Sequence, residues 1–311
     1  MPKQFRHVNP SAGESRPGRR SHLSLLTGST LYSSHWLDLF ISLPVLFVIV
    51  VAFLPAIEGI VLSFDHHGPS LANYRAVLGD RLFWRALGNN LLIPAASLAL
   101  ELAAGLCFAL TLAGQRGKWT AAAEIAAVIP FALPEIVLLS AARYIFMPHG
   151  YLDGLLLAAG LPALPWLIPG RVLCWVTVTI VDAWHVTPVV MLILIGGLHT
   201  IPREVYEAAR MDGAGPLATF RYITLPMLAP AIVAAVVLRG VDALRIFSTT
   251  LVLTGAEGVP VLSTYAFQLW SDEQEPRLAM AASVLLALLI STIALLGFIW
   301  LRRRQLLEVT P

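Results

Sequence analysis

Charged side chains interrupt an apolar stretch of this sequence near residue 240. In the segment RGVDALRIF, Arg239, Asp242 and Arg245 follow one another at intervals of three residues. Residues three apart share one face of a helix, so the aspartate can pair with either arginine. The same groups can form hydrogen bonds with the hydroxyl groups of a solute. We interpret Asp242 and Arg245 as candidates for contact with a polar solute, and Arg239 as a charge that fixes helix packing.

Polar and aromatic side chains near this segment extend the candidate solute surface. Hydroxyl, amide and aromatic groups suit a ligand rich in hydroxyl groups, such as a sugar. Trp270, in contrast, is better explained by the enrichment of tryptophan at membrane interfaces. The further candidates are Ser248, Thr249, Tyr265 and Gln268, together with His185 in an earlier apolar run.

A second charged segment, EVYEAARMDGAGPLATFRYITLP at residues 204–226, separates two long apolar runs. Its first part predicts a short helix with Val205, Ala208 and Ala209 on one face. The two alanines would allow another backbone to approach closely, and Glu207 beside them could pair with a basic group. The segment therefore indicates either a contact surface for a partner or an amphipathic connector on the membrane surface.

Turn residues divide this second segment into two parts. Gly213 predicts the end of the first helix, because glycine readily adopts the left-handed conformation that follows many helices. We expect Thr200 or Ile201 to cap the start of that helix, with Pro202 in the first turn, where its missing N–H is harmless. A second short helix can begin at Pro216 for the same reason and continue into the next apolar run.

The composition indicates a membrane protein. Of the 311 residues, 57% are hydrophobic and 13% are charged, whereas soluble domains carry about 25% charged residues. Several apolar runs exceed the ~20 residues that a helix needs to cross a bilayer, and they are too long for the strands of a membrane barrel. The expected fold is all-α and polytopic, with six transmembrane helices at roughly 37–64, 87–113, 119–146, 171–199, 225–253 and 277–301.

The distribution of Lys and Arg predicts the orientation of the chain. With a cytosolic N-terminus, the intracellular segments contain 13 basic residues and the external segments contain five, as the positive-inside rule favours. Both termini are then cytosolic, and so is the segment 200–226. The expected organisation is a mostly disordered N-terminal tail (1–36), a membrane domain (37–303) and a C-terminal tail (304–311).

The spacing within residues 200–226 resembles the EAA loop of binding-protein-dependent ABC importer permeases. The wider stretch GGLHTIPREVYEAARMDGAGPLATFRYITLPMLAP resembles the carbohydrate-uptake branch of that family. The resemblance implies a MetI-like permease core in the cell inner membrane. The loop positions that match without a gap are Glu207, Ala208, Ala209, Gly213, Ile223, Leu225 and Pro226.

Other parts of the chain extend this resemblance, with two departures. Asp153 stands where the family usually has an asparagine, and Ala256 replaces the second glycine of an LTGG-type loop. The shape of that loop is therefore left open. The remaining matches are Asn89, Asn90, Pro130, Pro134, Gly150, Trp184 and Pro188.

The resemblance also implies a mechanism. The loop would form coupling helices that dock in a cleft of a cytosolic ATPase, and closure of the ATPase dimer on ATP would rock two permease subunits between inward-facing and outward-facing states. Glu207 would pair with a basic residue of the ATPase, and Gly213 would permit the turn between the helices. Ile223, Leu225 and Pro226 would tie the loop to the fifth span.

The implied complex contains a second permease subunit, two ATPase subunits and an external solute-binding protein, surrounded by membrane lipid and without nucleic acid. The sequence has no G-x-x-x-x-G-K-[ST] phosphate loop, so ATP and Mg would bind to the ATPase. This chain would hold no cofactor or metal and would not be an enzyme.

The expected solute is a disaccharide such as trehalose or maltose, with glycerol 3-phosphate as the alternative. An ion-coupled secondary transporter with intramembrane carboxylates as a proton relay is the alternative from another class.

Overall fold

The protein is all-α in the computed structural model, with no strand among the residues described. Two compact units are present, one ending at Ala56 and the other beginning at Ile57. The second unit holds every site discussed below. The described residues are 34–65, 68, 70–113 and 117–308.

The predicted tails coincide only in part with these residues. The tail predicted at 1–36 lies outside the described residues except for its last three, which begin the first helix. The last helix continues past residue 303, where the sequence predicts a tail.

A π-helical turn, Phe220–Thr224, joins the ninth and tenth helices. In chain order the α-helices of the described part are α1 (Ser34–Phe64), α2 (Ala72–Gly79), α3 (Arg81–Ala113), α4 (Lys118–Ala132), α5 (Glu135–Phe146), α6 (Tyr151–Ala158), α7 (Val172–His199), α8 (Arg203–Met211), α9 (Pro216–Thr219), α10 (Leu225–Ala243), α11 (Ser248–Gly258), α12 (Leu262–Ser271) and α13 (Pro276–Glu308).

Five continuous helical segments of the described chain are long and apolar enough to cross a membrane. They are α1, α3, α7, α13 and the segment from α9 through α10. A sixth crossing results when the bent pair formed by α4 with α5 and α6 is counted as one span. Four of the six predicted spans therefore coincide with continuous helices, whereas the third and the fifth are interrupted. Helices suit this environment because they satisfy their backbone hydrogen bonds internally.

The third predicted span, residues 119–146, is not one continuous helix. The chain bends by 94° between Ala132 and Glu135. Pro134 causes this break, because a residue that precedes proline is pushed out of the helical region. Leu133 accordingly has an extended conformation, with ψ 146°.

The fifth predicted span, residues 225–253, is also interrupted. Its first helix, α10, ends at Ala243, and α11 begins at Ser248. The buried side chain of Asn90 on α3 lies against the interruption, where its Nδ2 donates to the carbonyl oxygen of Leu244 at 3.1 Å. The amide thus satisfies one of the carbonyl groups that the end of a helix leaves unpaired.

Asp153 of α6 organises the connection between α5 and α7. Its carboxylate is buried and accepts hydrogen bonds from the backbone N–H groups of His149 at 3.0 Å and Leu164 at 3.3 Å. A third bond comes from Nε1 of Trp166 at 3.1 Å. All three partners are donors, so an aspartate can serve at the position where the resemblance leads us to expect asparagine.

Helices α3, α7 and α10 pack closely in the second unit. A Cβ added to Gly105 of α3 would lie 3.0 Å from Cγ1 of Val190 on α7. A Cβ added to Gly197 of α7 would clash with Ala231 of α10. Small residues let helix backbones approach one another within a membrane, so α7 lies tightly against both neighbours. The buried side chains between these helices are Ala109, Val190, Leu194, Leu228 and Ala235.

Candidate functional site

Helix α8 forms the first half of the EAA-like segment. It begins at Arg203, directly after Pro202, whose extended backbone (φ −62°, ψ 141°) makes that residue the cap. The prediction that Thr200 or Ile201 caps the helix was wrong. The hydroxyl group of Thr200 instead donates to the carbonyl oxygen of Gly197 at 2.8 Å, at the end of α7.

The end of α8 is a Schellman motif built around Gly213. This glycine has φ +76°, and its N–H donates to the carbonyl of Arg210 at 3.1 Å. The N–H of Ala214 donates to the carbonyl of Ala209 at 2.9 Å, which completes the motif. The predicted helix end at Gly213 is confirmed, and the chain turns sharply there.

The second half of the segment returns the chain to the membrane. Helix α9 begins at Pro216, as the sequence predicts, and continues through the π-helical turn into α10. The hydroxyl groups of Tyr206 on α8 and Thr224 before α10 lie within hydrogen-bonding distance. At the base of α10, Ile223 is half-buried, whereas Leu225 and Pro226 are exposed.

The two alanines of α8 differ in exposure. Ala208 and Glu207 are exposed, whereas Ala209 is buried against the chain itself. Only Ala208 of this pair is therefore available for close contact with a partner. No ion pair within the described residues holds Glu207, so its carboxylate is free to meet an external basic group.

Three large apolar side chains of this segment are strongly exposed. The exposed fractions are 88% for Met211, 79% for Leu217 and 73% for Tyr222. Apolar side chains exposed next to charged groups are typical of a contact surface for a partner. The sequence analysis did not select these residues, although large apolar residues inside a polar connecting segment were an available signal.

A cavity of about 940 Å³ opens beside α8. It lies between α8 and the ends of α3 and α7, with a contribution from α4. Two acidic and two basic side chains line it, so it can accept a polar group of either sign. These side chains are Glu124, Arg203, Glu207 and Arg210.

A second charged group lies where α3, α7 and α10 meet. The guanidinium of Arg239 contacts Glu101 through Nε, 2.9 Å from Oε2, and Asp182 through Nη2, 3.2 Å from Oδ2. Its Nη1 lies 2.8 Å from Oδ2 of Asp242. Arg239, Glu101 and Asp182 are buried, whereas the side chain of Asp242 is 64% exposed. The planar guanidinium can serve all three carboxylates because it carries five N–H donors.

Hydroxyl groups complete this charged group. Oγ of Ser97 lies 2.9 Å from Oε1 of Glu101 and 2.6 Å from Oδ2 of Asp182, and its single proton serves one of them at a time. Oγ1 of Thr249 donates to Oδ1 of Asp182 at 3.1 Å. Four helices, α3, α7, α10 and α11, are thereby joined beside the interruption of the fifth span. We call this set the Arg239 network; it comprises Ser97, Glu101, Asp182, Arg239, Asp242 and Thr249.

The structure resolves which arginine Asp242 contacts. It pairs with Arg239, while Arg245 lies beyond the end of α10, is exposed and has no ion pair within the described residues. The sequence analysis did not identify Glu101 and Asp182 as partners of Arg239. Spacing shows neighbours on one helix only, although the need to pair a charge inside a membrane signals that partners exist.

The other candidates for the solute surface lie in different surroundings. Thr249 is buried inside the Arg239 network, and Ser248 is half-buried at the start of α11. His185 is half-buried on α7, with its ring centroid 6.2 Å from that of Phe131.

Helix α12 carries the last two candidates. Tyr265 is buried and donates a hydrogen bond to Oδ2 of Asp80 at 2.8 Å. Burial and this hydrogen bond raise the pKa of Tyr265, so the hydroxyl stays protonated. Oε1 of Gln268 is buried without a hydrogen-bond partner among the described residues. Tyr265 thus ties α12 to the junction between α2 and α3 in this structure, and its contact with a solute stays a prediction.

The sequence of residues 102–306 matches the family described as binding-protein-dependent transport system inner membrane component. The matched region contains the whole segment 200–226. It also contains the Arg239 network except for Ser97 and Glu101.

The chain is also similar in sequence to individual permease proteins. The chain is 34% identical over 242 residues to the trehalose/maltose transport system permease protein MalF of Thermococcus litoralis, covering 74% of this chain and 81% of that protein. It is 36% identical over 190 residues to the trehalose transport system permease protein SugA of Mycobacterium tuberculosis, covering 60% of this chain and 59% of that protein. A third relative, the sulfoquinovosyl glycerol permease SmoG of Agrobacterium fabrum, is 34% identical over 194 residues, 62% of this chain and 61% of that protein.

Solved structures share the fold. A chain of the bacterial ABC transporter involved in import of the acidic polysaccharide alginate has a TM-score of 0.77 at 21% identity, covering 89% of this chain and 97% of that chain. A chain of the methionine transporter MetNI has a TM-score of 0.52 at 20% identity, covering 71% of this chain and 95% of that chain. The predicted permease fold is therefore confirmed. The chain is a multi-pass inner-membrane protein and belongs to the family of inner membrane components of binding-protein-dependent transport systems.

Proposed function

We propose that this chain is a permease subunit of an ATP-driven importer for a sugar, with a disaccharide such as trehalose or maltose as the solute. The support for this solute class comes from relatives. MalF of Thermococcus litoralis is named as a trehalose/maltose permease, and SugA of Mycobacterium tuberculosis is named as a trehalose permease. The family's ATPase is a separate subunit. This chain would therefore form the path for the solute and would not hydrolyse ATP.

The geometry of segment 200–226 carries the proposal. Helix α8 presents Glu207, which has no ion pair within the described residues, and Met211 and Leu217 are exposed nearby. We expect α8 to dock in a cleft of a cytosolic ATPase, where Glu207 pairs with a basic residue. The apolar side chains would be buried in the same cleft, and such residues supply much of the affinity at protein interfaces. ATP and Mg would bind to the ATPase alone.

Motion of the ATPase would reach the membrane through two connections. One is the backbone, which turns at Gly213 and enters α10 through Ile223, Leu225 and Pro226. The other is the contact between Tyr206 and Thr224. Helix α10 is in turn tied to α3 and α7 by the Arg239 network, so these helices would shift together when the transporter alternates between inward-facing and outward-facing states.

The solute path would pass Asp242 and Arg245. Both side chains are exposed where the fifth span is interrupted, and a charge at membrane depth is too costly to face lipid. Interrupted helices in transporters commonly border substrate sites, because their free backbone groups need polar partners. Ser248 and His185, both half-buried, are further candidates for contacts with solute hydroxyl groups.

The complete transporter would contain four further subunits. They are a second permease similar to this one, two ATPase subunits and an external solute-binding protein. The binding protein follows from the description of the family. It would deliver the sugar to the external side and would largely determine which sugar is taken up.

The two alternatives fit the observations less well. For glycerol 3-phosphate, a phosphate group would need free basic partners, but Arg239 is surrounded by three carboxylates that would repel an anion. Arg245, which is exposed beyond the end of α10, is a basic candidate near the interruption of the fifth span. The ion-coupled secondary transporter is not retained, because the family works with a separate ATPase.

The proposal can be tested by purifying the tagged chain in mild detergent and identifying the subunits that co-purify. The complex is then reconstituted in liposomes with its binding protein. We expect trehalose or maltose to stimulate ATP hydrolysis and to be taken up, and glycerol 3-phosphate to do neither. Uptake without ATP that stops when a proton gradient is dissipated would contradict the proposal.

A further inference from the structure

The Arg239 network has one free end. Two of its three carboxylates, those of Glu101 and Asp182, are buried, and the third, that of Asp242, is mostly exposed. The network therefore connects the interior of the helix packing with an exposed carboxylate on the surface of α10. This asymmetry separates side chains that can touch a solute from side chains that can act only through another residue.

The buried carboxylates fix the orientation of the guanidinium. Nε of Arg239 lies 3.2 Å and 2.9 Å from the two oxygens of Glu101, and Nη2 contacts Asp182 on the other helix. A planar group held at two of its nitrogens cannot rotate, so the direction of the third is fixed as well. That third nitrogen, Nη1, points to Asp242.

Asp242 keeps one oxygen available. Its Oδ2 accepts the hydrogen bond from Arg239, whereas its Oδ1 has no hydrogen-bond partner among the described residues. The residue lies about 24 Å along the helix from Pro226, at ~1.5 Å per residue, within a segment that is long and apolar enough to cross a membrane. A carboxylate at this depth needs water or another polar partner.

We propose that Glu101 and Asp182 are positioning residues, which act through Arg239 to hold Asp242 so that Oδ1 accepts a hydrogen bond from a hydroxyl group of the solute. This inference rests on the proposed function insofar as the solute is a sugar. Neither Glu101 nor Asp182 touches the solute. Their loss would weaken solute binding because Arg239 could then turn and release Asp242.

A double-mutant cycle in reconstituted transporter tests this arrangement. We expect Glu101→Gln and Asp242→Asn each to raise the KM for the sugar roughly fivefold, as expected for about one lost hydrogen bond, with a smaller change in maximal rate. The double variant should be no worse than the more severe single variant, because both changes remove the same contact. Glu135→Gln is the matched control, since Glu135 is an exposed span residue outside the network, and it should leave the KM unchanged.

Two outcomes of this cycle would overturn the proposal. One is an unchanged KM in Glu101→Gln together with a raised KM in Asp242→Asn. The other is a double variant whose effect equals the product of the two single effects.

A second measurement does not depend on the identity of the solute. Cryo-electron microscopy of the purified complex should show the contact between Nη1 of Arg239 and Oδ2 of Asp242 in the unmodified protein and its loss in Glu101→Gln. An intact contact in that variant would overturn the positioning role even if no sugar is transported. If Glu101→Gln lacks the contact and the unmodified complex transports no sugar, the positioning role stands and the proposed solute is refuted.

Discussion

The hydroxyl oxygens of Tyr206 and Thr224 lie 3.3 Å apart and join the middle of α8 to the residue that precedes α10. Thr224 is buried, and its hydroxyl also lies 3.4 Å from the carbonyl oxygen of Thr219. The contact bridges the turn at Gly213. Helix α8 therefore has a side-chain attachment to α10 in addition to the backbone that connects them.

Removing this attachment should reduce coupling more than it reduces ATP hydrolysis. Tyr206→Phe deletes one hydroxyl and keeps the ring, so we expect the number of sugar molecules moved per ATP to fall about twofold to fivefold, the effect of about one hydrogen bond. Thr224→Val should act similarly, and the double variant should add little. Parallel measurement of uptake and ATP hydrolysis in liposomes checks this. A wild-type ratio in Tyr206→Phe would exclude the contact as a transmitting element.

Reversing the charge of Glu207 should weaken binding of the ATPase. The residue is exposed and has no ion pair within the described chain, so Glu207→Lys should leave membrane insertion intact. Loss of a charge pair at an interface and its replacement by repulsion should lower ATPase association about tenfold or more. Co-purification of the ATPase measures this. Glu273→Lys, the same change at an exposed glutamate between α12 and α13, is the control, and normal uptake in Glu207→Lys would count against the coupling role.

Gly213→Ala tests the turn without adding a steric clash. An added Cβ would meet nothing within 4 Å, but φ is +76°. The expected destabilisation of the turn is about 1 kcal/mol, because L-residues disfavour this region. Hydrogen exchange at the amide of Ala214, which bonds across the turn, should become faster. Gly215→Ala, at φ −72°, should leave exchange unchanged; equal effects of both substitutions would contradict this explanation.

Truncation of the two exposed charges should alter solute handling. Asp242→Ala and Arg245→Ala each remove a group that can bond a solute hydroxyl, so we expect the KM or the rate of uptake to change severalfold. Arg85→Ala removes an exposed arginine at the start of α3 and serves as the control. If neither Asp242→Ala nor Arg245→Ala alters uptake, the two residues lie outside the path.

Asn90 should be important for stability. Its Oδ1 accepts the N–H of Leu262 at 3.2 Å, and its Nδ2 donates to Leu244. Asn90→Leu leaves both buried backbone groups unpaired, at about 1–3 kcal/mol each. Thermal unfolding of the purified protein should occur at a clearly lower temperature. An unchanged unfolding temperature in Asn90→Leu would refute the bridging role.

Local signals in the sequence predicted much of the fold. The lengths of the apolar runs predicted the spans, and Gly213 and Pro216 predicted a helix end and a helix start, because each depends on the backbone preference of one residue. Pro134 carried the signal for the bend in the third span, but the long apolar run around it favoured a continuous helix. The cap at Pro202 was missed because two alternative cap residues precede it.

Contacts between distant residues could not be predicted in this way. Arg239 is separated from Glu101 by 138 residues and from Asp182 by 57 residues. Only the three-dimensional packing of α3, α7 and α10 brings these side chains together. The interruption of the fifth span has a similar cause, since the amide that stabilises it belongs to Asn90 on another helix. The exposure of Met211 and Leu217 likewise depends on how the turn at Gly213 is built.

The glycines at positions 105 and 197 limit how this protein can deform. With no side chain at either crossing, α3, α7 and α10 interlock at van der Waals distance and resist sliding past one another. We consequently expect the three helices to move as one rigid body during the proposed transport cycle. If the proposed alternation between two states takes place, we expect it at the edges of this group of helices, where the chain is bent at Pro134 and interrupted before Ser248.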